Sequence, residues 1–168
     1  KTGETTNLAI LDNSEVVYID QIESTNMIIV KMFARVGSRG PAYCTGSGKV
    51  LLAYLPPDEL ERVVKNIQFT KFTTETIDNP EHLYNELARV RANGYALDLG
   101  EWDVGVRCVA APMWSHDGRV VAAISVSGPA MRITNYYMNH ELINLVKITA
   151  EKISQKLGYQ PSVKGSQR

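Results

Sequence analysis

VGVRCVAAPMWSHDGRVVAAISVSGP, residues 104–129, carries the most informative pattern in the chain. It contains two apolar runs, at 104–114 and 119–127, and the turn residues His-Asp-Gly stand between them at 116–118. Apolar runs joined by a short turn of this kind are typical of a β-hairpin. The sequence therefore predicts two long antiparallel strands, ended by the Gly-Pro pair at 128–129.

One face of this hairpin carries small side chains. Because side chains alternate along a strand, one face receives Val106, Cys108 and Ala110 from the first strand and Ala123, Ser125 and Ser127 from the second. Small residues on matching faces leave room above the sheet, where the hydroxyls and the thiol could line a pocket. The alternative is that a helix or loop packs closely on this face, and the pattern alone leaves both open.

The rest of the chain reads as strands, then helices, then strands and a last helix. Further strands are predicted at Thr6–Leu11, Glu15–Gln21, Met27–Ala34 and Tyr95–Leu99, and residues 37–41 break the pattern. Helices are predicted at 48–55, from Pro57, from Pro80 to Gly94 with Asp78 or Asn79 as the cap, and from Thr134 to Gly158. This order favours an α+β fold, with a central antiparallel β-sheet and helices on its faces.

Gly46-Ser47-Gly48-Lys49 looks like the end of a phosphate-binding loop. The full motif needs a glycine where Tyr43 stands and a hydroxyl residue where Val50 stands, so a nucleotide site is not supported. Free backbone N–H groups at a helix start attract anions, and glycine permits close approach. The stretch therefore suits the carboxylate of a small organic acid, or is simply a capped, glycine-rich helix.

Composition narrows the function classes. The chain has 168 residues with 18 basic and 18 acidic side chains, so its formal net charge is zero. A neutral chain is a poor candidate for binding the phosphate backbone of nucleic acid. No apolar run approaches the roughly 20 residues of a membrane span, and we expect no signal peptide. Cys44 and Cys108 form no CxxC motif, which favours a reducing cytoplasm. The first residue is Lys1, so we expect a fragment of a longer protein, and we expect a disordered tail at 160–168.

Several segments, taken in their order and spacing, resemble one protein family. They are RGPA (39–42) running into TGSGKVLL (45–52), RANGYALD (91–98), GVRCVAAP (105–112), AAISVSGP (122–129) and ISQKLGY (153–159). Together they resemble the C-terminal effector-binding domain of the IclR family of bacterial transcription regulators. The resemblance extends from about Thr6 to Tyr159.

This resemblance implies a GAF-like fold at residues 1–159 and a winged helix-turn-helix DNA-binding domain that is absent from this chain. It also implies dimers that pair into tetramers. We expect a cytoplasmic sensor that forms homodimers or homotetramers, is not an enzyme, and has no cofactor and no metal ligand. The effector would be a small carboxylic acid, such as a 2-oxo, sugar-derived or aromatic acid, that alters DNA binding by the full-length protein allosterically. An enzyme or a vestigial oligomerisation module on the same fold is the alternative.

By position, the resemblance also implies a set of effector-binding residues. The backbone at Gly46 and Ser47 would hold the carboxylate, and some members have alanine where Ser47 stands. The polar groups of the ligand would meet Asp98, Cys108, Ser125 and Ser127, with Met32 and Leu51 in the apolar wall.

Asp98 and Cys108 each have competing interpretations. Two carboxylates in a poorly solvated pocket repel, so Asp98 is expected to accept from a ligand hydroxyl; alternatively it only orders the loop at Gly100. A zinc site of Cys108 with Asp98 or Glu101 lacks the usual short ligand spacing. Cys108 as a nucleophile lacks a base to activate it.

Self-association is expected from apolar residues near the last helix that we predict to be exposed. These residues are Met131, Ile133, Tyr136 and Tyr137.

Overall fold

A six-stranded antiparallel sheet forms the centre of the computed structural model, which describes residues 1–26 and 35–160. The strands are β1 (Thr5–Asp12), β2 (Glu15–Ile22), β3 (Arg39–Pro41), β4 (Ala96–Asp98), β5 (Val106–Trp114) and β6 (Val120–Pro129), in the spatial order β3-β2-β1-β6-β5-β4. The helices are α1 (Gly46–Ala53), α2 (Pro57–Lys65), α3 (Pro80–Asn93), α4 (Asn135–Tyr137) and α5 (Ile143–Lys156). The predicted α+β class is confirmed.

The predicted hairpin of β5 and β6 is present and divides the core into two layers. Small residues of the sheet, among them Ala110 and Ala123, face α1, α2 and α3. Larger ones, among them Val109 and Val126, face α5. The alternation along the two strands therefore places the small face where the sequence predicts it, beneath the short helices.

Local capping explains where the helices begin and end. Asn79, not Asp78, caps α3, because its Oδ1 accepts the His82 N–H at 2.9 Å. Gly94 ends that helix at φ 75°, a conformation that glycine adopts without strain. Thr134 starts the last helical region by accepting the Tyr137 N–H at 3.2 Å. This region passes through a wide π-helical turn at residues 138–142 before it becomes α5.

Three predictions about local structure are wrong. Residues 37–41 do not only break the chain, since Arg39–Pro41 pairs with β2 as an edge strand; the Arg39 guanidinium anchors it to Asp12 and Glu15. Helix α1 starts at Gly46, two residues earlier than predicted, because Thr45 provides the cap. Ile133 is fully buried in the α5 layer and is not exposed.

Some predictions fall outside the part of the chain that the structure describes. The strand predicted at Met27–Ala34, including Met32 of the expected pocket wall, lies there, as does the tail from residue 161 onward. Across residues 1–26 and 35–160, no helix has the length and apolar character needed to cross a membrane.

Candidate functional site

A cavity of about 30 Å³ lies between the N-terminal end of α1 and the small face of the sheet. Five of the predicted site residues line it: Gly46, Ser47, Asp98, Cys108 and Ser127. Five further lining residues were not predicted: Tyr18, Thr45, Trp102, Asp103 and Val106. Since a single water needs roughly 10–15 Å³, the cavity has room for about two or three waters.

The first turn of α1 presents backbone donors to this cavity. Thr45 caps the helix, and its Oγ1 accepts the Gly48 N–H at 3.2 Å. The N–H groups of Gly46 and Ser47 precede the first intrahelical hydrogen bonds, so the helix itself offers them no acceptor. Both residues line the cavity. The arrangement therefore places two backbone donors, and the positive end of the helix dipole, at the cavity wall.

Close packing brings this helix end onto the sheet. A Cβ atom on Gly48 would lie 2.2 Å from the carbonyl oxygen of Ala42, which no side chain can tolerate. A Cβ atom on Gly46 would lie 3.0 Å from the Cys108 sulfur and 3.4 Å from the Cβ of Ala110. The two glycines thus let α1 sit directly on β5, and the small residues of the sheet make room for the helix.

Three polar residues of the cavity wall, Asp98, Cys108 and Ser127, stand side by side on neighbouring strands. In register, Asp98 of β4 pairs with Cys108 of β5, Cys108 with Ser127 of β6, and Ser127 with Thr5 of β1. Burial raises the pKa of the Cys108 thiol to about 12, although hydrogen bonds with Ser127 and Ser125 lower it. Cys108 is therefore a neutral thiol at physiological pH, suited to a weak polar contact and not to nucleophilic attack.

Ser125 belongs to the next row, which is packed. It pairs with Ala110 and with Asn7, is 1% exposed and does not line the cavity. Both interpretations of the small face thus hold, at different places: α1 packs on the Ala110–Ser125 row, and the cavity opens at the Cys108–Ser127 row. Leu51 also lies away from the cavity, in the core and beside a separate groove next to α2.

Asp98 orders the loop at Gly100, which is the structural role considered as the alternative to ligand binding. Its Oδ1 accepts the backbone N–H groups of Gly100 at 3.1 Å and Glu101 at 2.8 Å, which orders the turn after β4. The residue nevertheless lines the cavity and is 5% exposed. Burial raises its pKa, and the two backbone hydrogen bonds and Lys49 oppose that shift.

A buried ion cluster behind the cavity was missed by the sequence analysis. The Lys49 side chain is 1% exposed; its Nζ contacts Glu101 Oε1 and lies 3.6 Å from Glu86 Oε1. Burial lowers the pKa of Lys49, but the charges of Glu101 and Glu86 outweigh this and raise it. Lys49, which in sequence resembles a phosphate-loop lysine, is a structural cation.

Two aromatic residues of the wall were also missed. Tyr18 is 5% exposed, and burial, with Cys108 and Asp98 nearby, raises the pKa of its hydroxyl. The Trp102 ring covers Gly40, where a Cβ atom would lie 2.7 Å from the ring. Strand alternation could have marked Tyr18 as inward-facing, but no sequence signal shows that its ring reaches this cavity.

Over residues 1–26 and 35–160, no group of three or more His, Cys, Asp or Glu side chains could hold an ion.

Comparison with known proteins matches nearly the whole chain to one family. The model of the C-terminal region of the bacterial transcriptional regulator IclR matches residues 1–155. The transcriptional regulator XynR of Escherichia coli K12 is 41% identical over 95% of this chain and 62% of its own length. This chain spans 51–62% of the first curated relatives.

Solved structures give the same result. The Thermotoga maritima IclR structure superposes with a TM-score of 0.86 at 40% identity, over 94% of this chain and 63% of the other. The inducer-binding domain of PobR from Acinetobacter, a double mutant in complex with 3-hydroxybenzoic acid, superposes with a TM-score of 0.83 at 26% identity, over 91% of this chain and 89% of the other.

Proposed function

The chain belongs to the IclR family of bacterial transcriptional regulators, and we propose that it senses a small carboxylic acid bound in the cavity beneath α1. The relatives are named transcriptional regulators and repressors, so the domain is regulatory and not catalytic. The observation that carries the proposal is the meeting of two first-turn backbone donors of α1, at Gly46 and Ser47, with buried polar residues of the sheet in one cavity.

The proposed complex assigns a role to each side of the cavity. The N–H groups of Gly46 and Ser47 receive the carboxylate, because the helix end concentrates positive potential there. Ser127 and the Cys108 thiol face the remaining polar groups of the acid. Asp98 accepts from a ligand hydroxyl through the part of its carboxylate that the turn does not use. Ser125 supports the thiol from the packed row and does not need to touch the ligand.

Effector binding is proposed to act on DNA through a winged helix-turn-helix domain outside residues 1–159. Effector coupling of this kind is typically about 1–3 kcal/mol, or roughly 5- to 150-fold in affinity. The net charge of zero in this chain agrees with DNA contacts being made elsewhere. The whole regulator is proposed to work in the cytoplasm.

A ligand panel tests the proposal. Melting temperature and calorimetric binding are measured with pyruvate, gluconate and 3-hydroxybenzoate, one acid from each class. An acid present at 100 times its Kd should add about 2.7 kcal/mol of stability, which is about 5–10 °C for a domain of this size. Ser127→Leu, which fills the cavity, should remove the shift. The bound acid should be recovered unchanged; its conversion would favour an enzyme, and no shift with any acid would favour a vestigial module.

Self-association is the second part of the proposal. Met131 and Tyr136 are 75% and 70% exposed, and Val104 is 79% exposed. The Ala130 N–H donates to the Gly105 oxygen at 2.7 Å, which joins the loops that carry Val104 and Met131. An apolar group of this kind suits contact with a second copy. Sedimentation should show dimers or larger species at tens of micromolar, and Met131→Asp should shift them toward monomer.

A further inference from the structure

The cluster behind the cavity contains more negative than positive groups. Lys49 is the cation, and Glu101, Glu86 and Asp98 all act on it electrostatically. Lys49, Asp98 and Glu101 are each at least nine-tenths buried. If all three carboxyl groups are ionised, their charge exceeds that of Lys49 by two, and Arg89 offsets part of the excess at Glu86. Asp98 belongs to both the cluster and the cavity wall, so any anion in the cavity meets this charge.

The three carboxyl groups are not equally able to hold a negative charge. Asp98 accepts two backbone N–H groups, which stabilise its ionised form. The side chain of Glu86 is 24% exposed and has Arg89 at 3.8 Å. Glu101 has one oxygen on Lys49, whereas its Oε2 is buried and finds no hydrogen-bond partner within the described residues. When a further negative charge enters the cavity, Glu101 is therefore the carboxylate that is protonated at the lowest free-energy cost.

Three other buried titratable groups near the cluster do not exchange protons near neutral pH. Burial raises the pKa of Cys44 in the turn before α1, of Tyr18 on β2 and of Cys108 on β5, so all three stay neutral. Lys71 and Glu75, on the loop that packs on the Glu101 backbone, are exposed. Asp103 also lies at the cavity wall and acts electrostatically on Asp98.

We propose that Glu101 takes up one proton from solvent when an anionic effector enters the cavity, so that effector binding is coupled to pH. This inference rests on the proposed function, since it requires an anion beside Asp98. The charge balance is simple: the anion brings one negative charge, and conversion of the Glu101 carboxylate to a carboxylic acid removes one. Burial, opposed by Lys49, raises the pKa of Glu101 to about 7, so in the free domain the group is partly ionised at neutral pH.

The sign of the pH dependence follows from that uptake. Below about pH 7 Glu101 already carries its proton, and binding is independent of pH. Above about pH 7, binding of each anion requires uptake of a proton by Glu101, and the falling proton concentration disfavours that uptake. The dissociation constant should therefore rise with pH, approaching about tenfold per pH unit.

The test measures binding of whichever panel acid binds, among pyruvate, gluconate and 3-hydroxybenzoate, between pH 6 and 8.5. Calorimetry at pH 8 in HEPES and in Tris reports the protons exchanged, because the two buffers differ in ionisation enthalpy and neither is a small anion that competes for the cavity. The acids themselves are ionised throughout, since a carboxyl of this kind titrates near pH 3–4. The wild-type domain should take up close to one proton, and Glu101→Gln should take up none and bind with little dependence on pH.

Glu86→Gln is the matched control, because it removes a carboxylate from the same lysine. It should retain proton uptake. Binding without uptake in the wild type, or loss of uptake in Glu86→Gln but not in Glu101→Gln, overturns the inference and leaves the proposed function standing. Failure of all three acids to bind at pH 6 overturns both. Melting curves of each variant establish that the comparison is between folded proteins.

Discussion

Gly46 lies directly against Cys108, so that a Cβ atom at position 46 would stand 3.0 Å from the cysteine sulfur. The contact fixes the height of α1 above β5 and thereby the depth of the cavity. Both residues line that cavity, one with a backbone donor and the other with a thiol.

Gly46→Ala should weaken effector binding more than it weakens the fold. The added methyl meets a sulfur and a side-chain Cβ, which can give way by a few tenths of an ångström, but the two N–H donors then move. We expect a loss of stability near the low end of the 1–3 kcal/mol typical of overpacking, and at least a tenfold loss of affinity for the panel acid that binds. Urea denaturation and calorimetry measure the two effects separately.

Gly48→Ala provides the contrast. Its methyl would meet the backbone of Ala42 at 2.2–2.6 Å, and backbone cannot rotate away. This variant should lose about 3 kcal/mol or more of folding free energy, the upper end of overpacking costs. Equal stability losses for the two alanine variants would mean that the helix end is not seated as described.

Leucine at Ser127 and at Ser125 should have opposite consequences. Ser127 borders the cavity, so Ser127→Leu should fold normally and exclude the effector. Ser125 is packed between Ala110 and Asn7 beneath α1, so Ser125→Leu should lose about 1–3 kcal/mol. Ser127→Ala should cost about 0.5–1.5 kcal/mol of binding, the value of one hydrogen bond. Melting curves measure the stability of these variants, and calorimetry measures their effector binding. A stable Ser125→Leu variant that still binds the effector would be incompatible with the packed row.

Glu101 should make the domain less stable as the pH rises. Its pKa in the folded state, about 7, lies above its ordinary value of 4.5, so the folded state holds the proton more tightly than the unfolded chain does. The stability from protonated Glu101 is fully present below about pH 4.5 and is lost as the pH rises through 7, by at most about 1.4 kcal/mol per pH unit. Urea denaturation of wild type and Glu101→Gln at half-unit pH steps should show the difference changing across this window. Glu151→Gln, an exposed change on α5, should show no such trend.

The ion pair between Glu4 and Arg132 should be costly to break from one side. Arg132 donates through Nε and Nη2 to both oxygens of Glu4, whose side chain is 4% exposed. Arg132→Met should therefore cost about 3 kcal/mol or more, since a buried carboxylate is left without its cation. Adding Glu4→Gln to that variant should recover part of the loss. A double-mutant cycle in urea provides the measurement, and strictly additive losses would show that the two side chains do not interact.

Patterns within one strand or helix were predictable from sequence, and contacts between distant residues were not. The turn at 116–118 and the alternation of Ile124 with Ser125 determine the hairpin and its two faces locally. The polarity of one face could not show where α1 would land, so Ser125 and Ser127 looked equivalent until the helix was placed over one of them.

The charged cluster shows the same limit more strongly. Lys49 meets Glu86 and Glu101, which lie 37 and 52 residues further along the chain, and no local pattern marks a lysine for burial. Its Gly-Ser-Gly-Lys setting pointed toward a phosphate. Asp98 was identified only through the family resemblance, because the turn that it orders and the cavity that it lines are created by tertiary packing.

The row of paired residues from Asp98 to Thr5 also bears on how the sheet avoids assembling incorrectly. Sliding β6 by two positions along its neighbours would keep every side chain on its present face. Ser125 would then stand opposite Cys108 in place of Ser127. The small face therefore discriminates poorly between the correct alignment and this misaligned one. The correct register is therefore selected by the tight turn at 116–118 and by the bulky pairs on the opposite face, such as Val109 with Val126. Lengthening that turn by two residues should therefore increase the fraction of chains that fold with β6 misaligned by two positions. The residue types paired on the small face would remain similar.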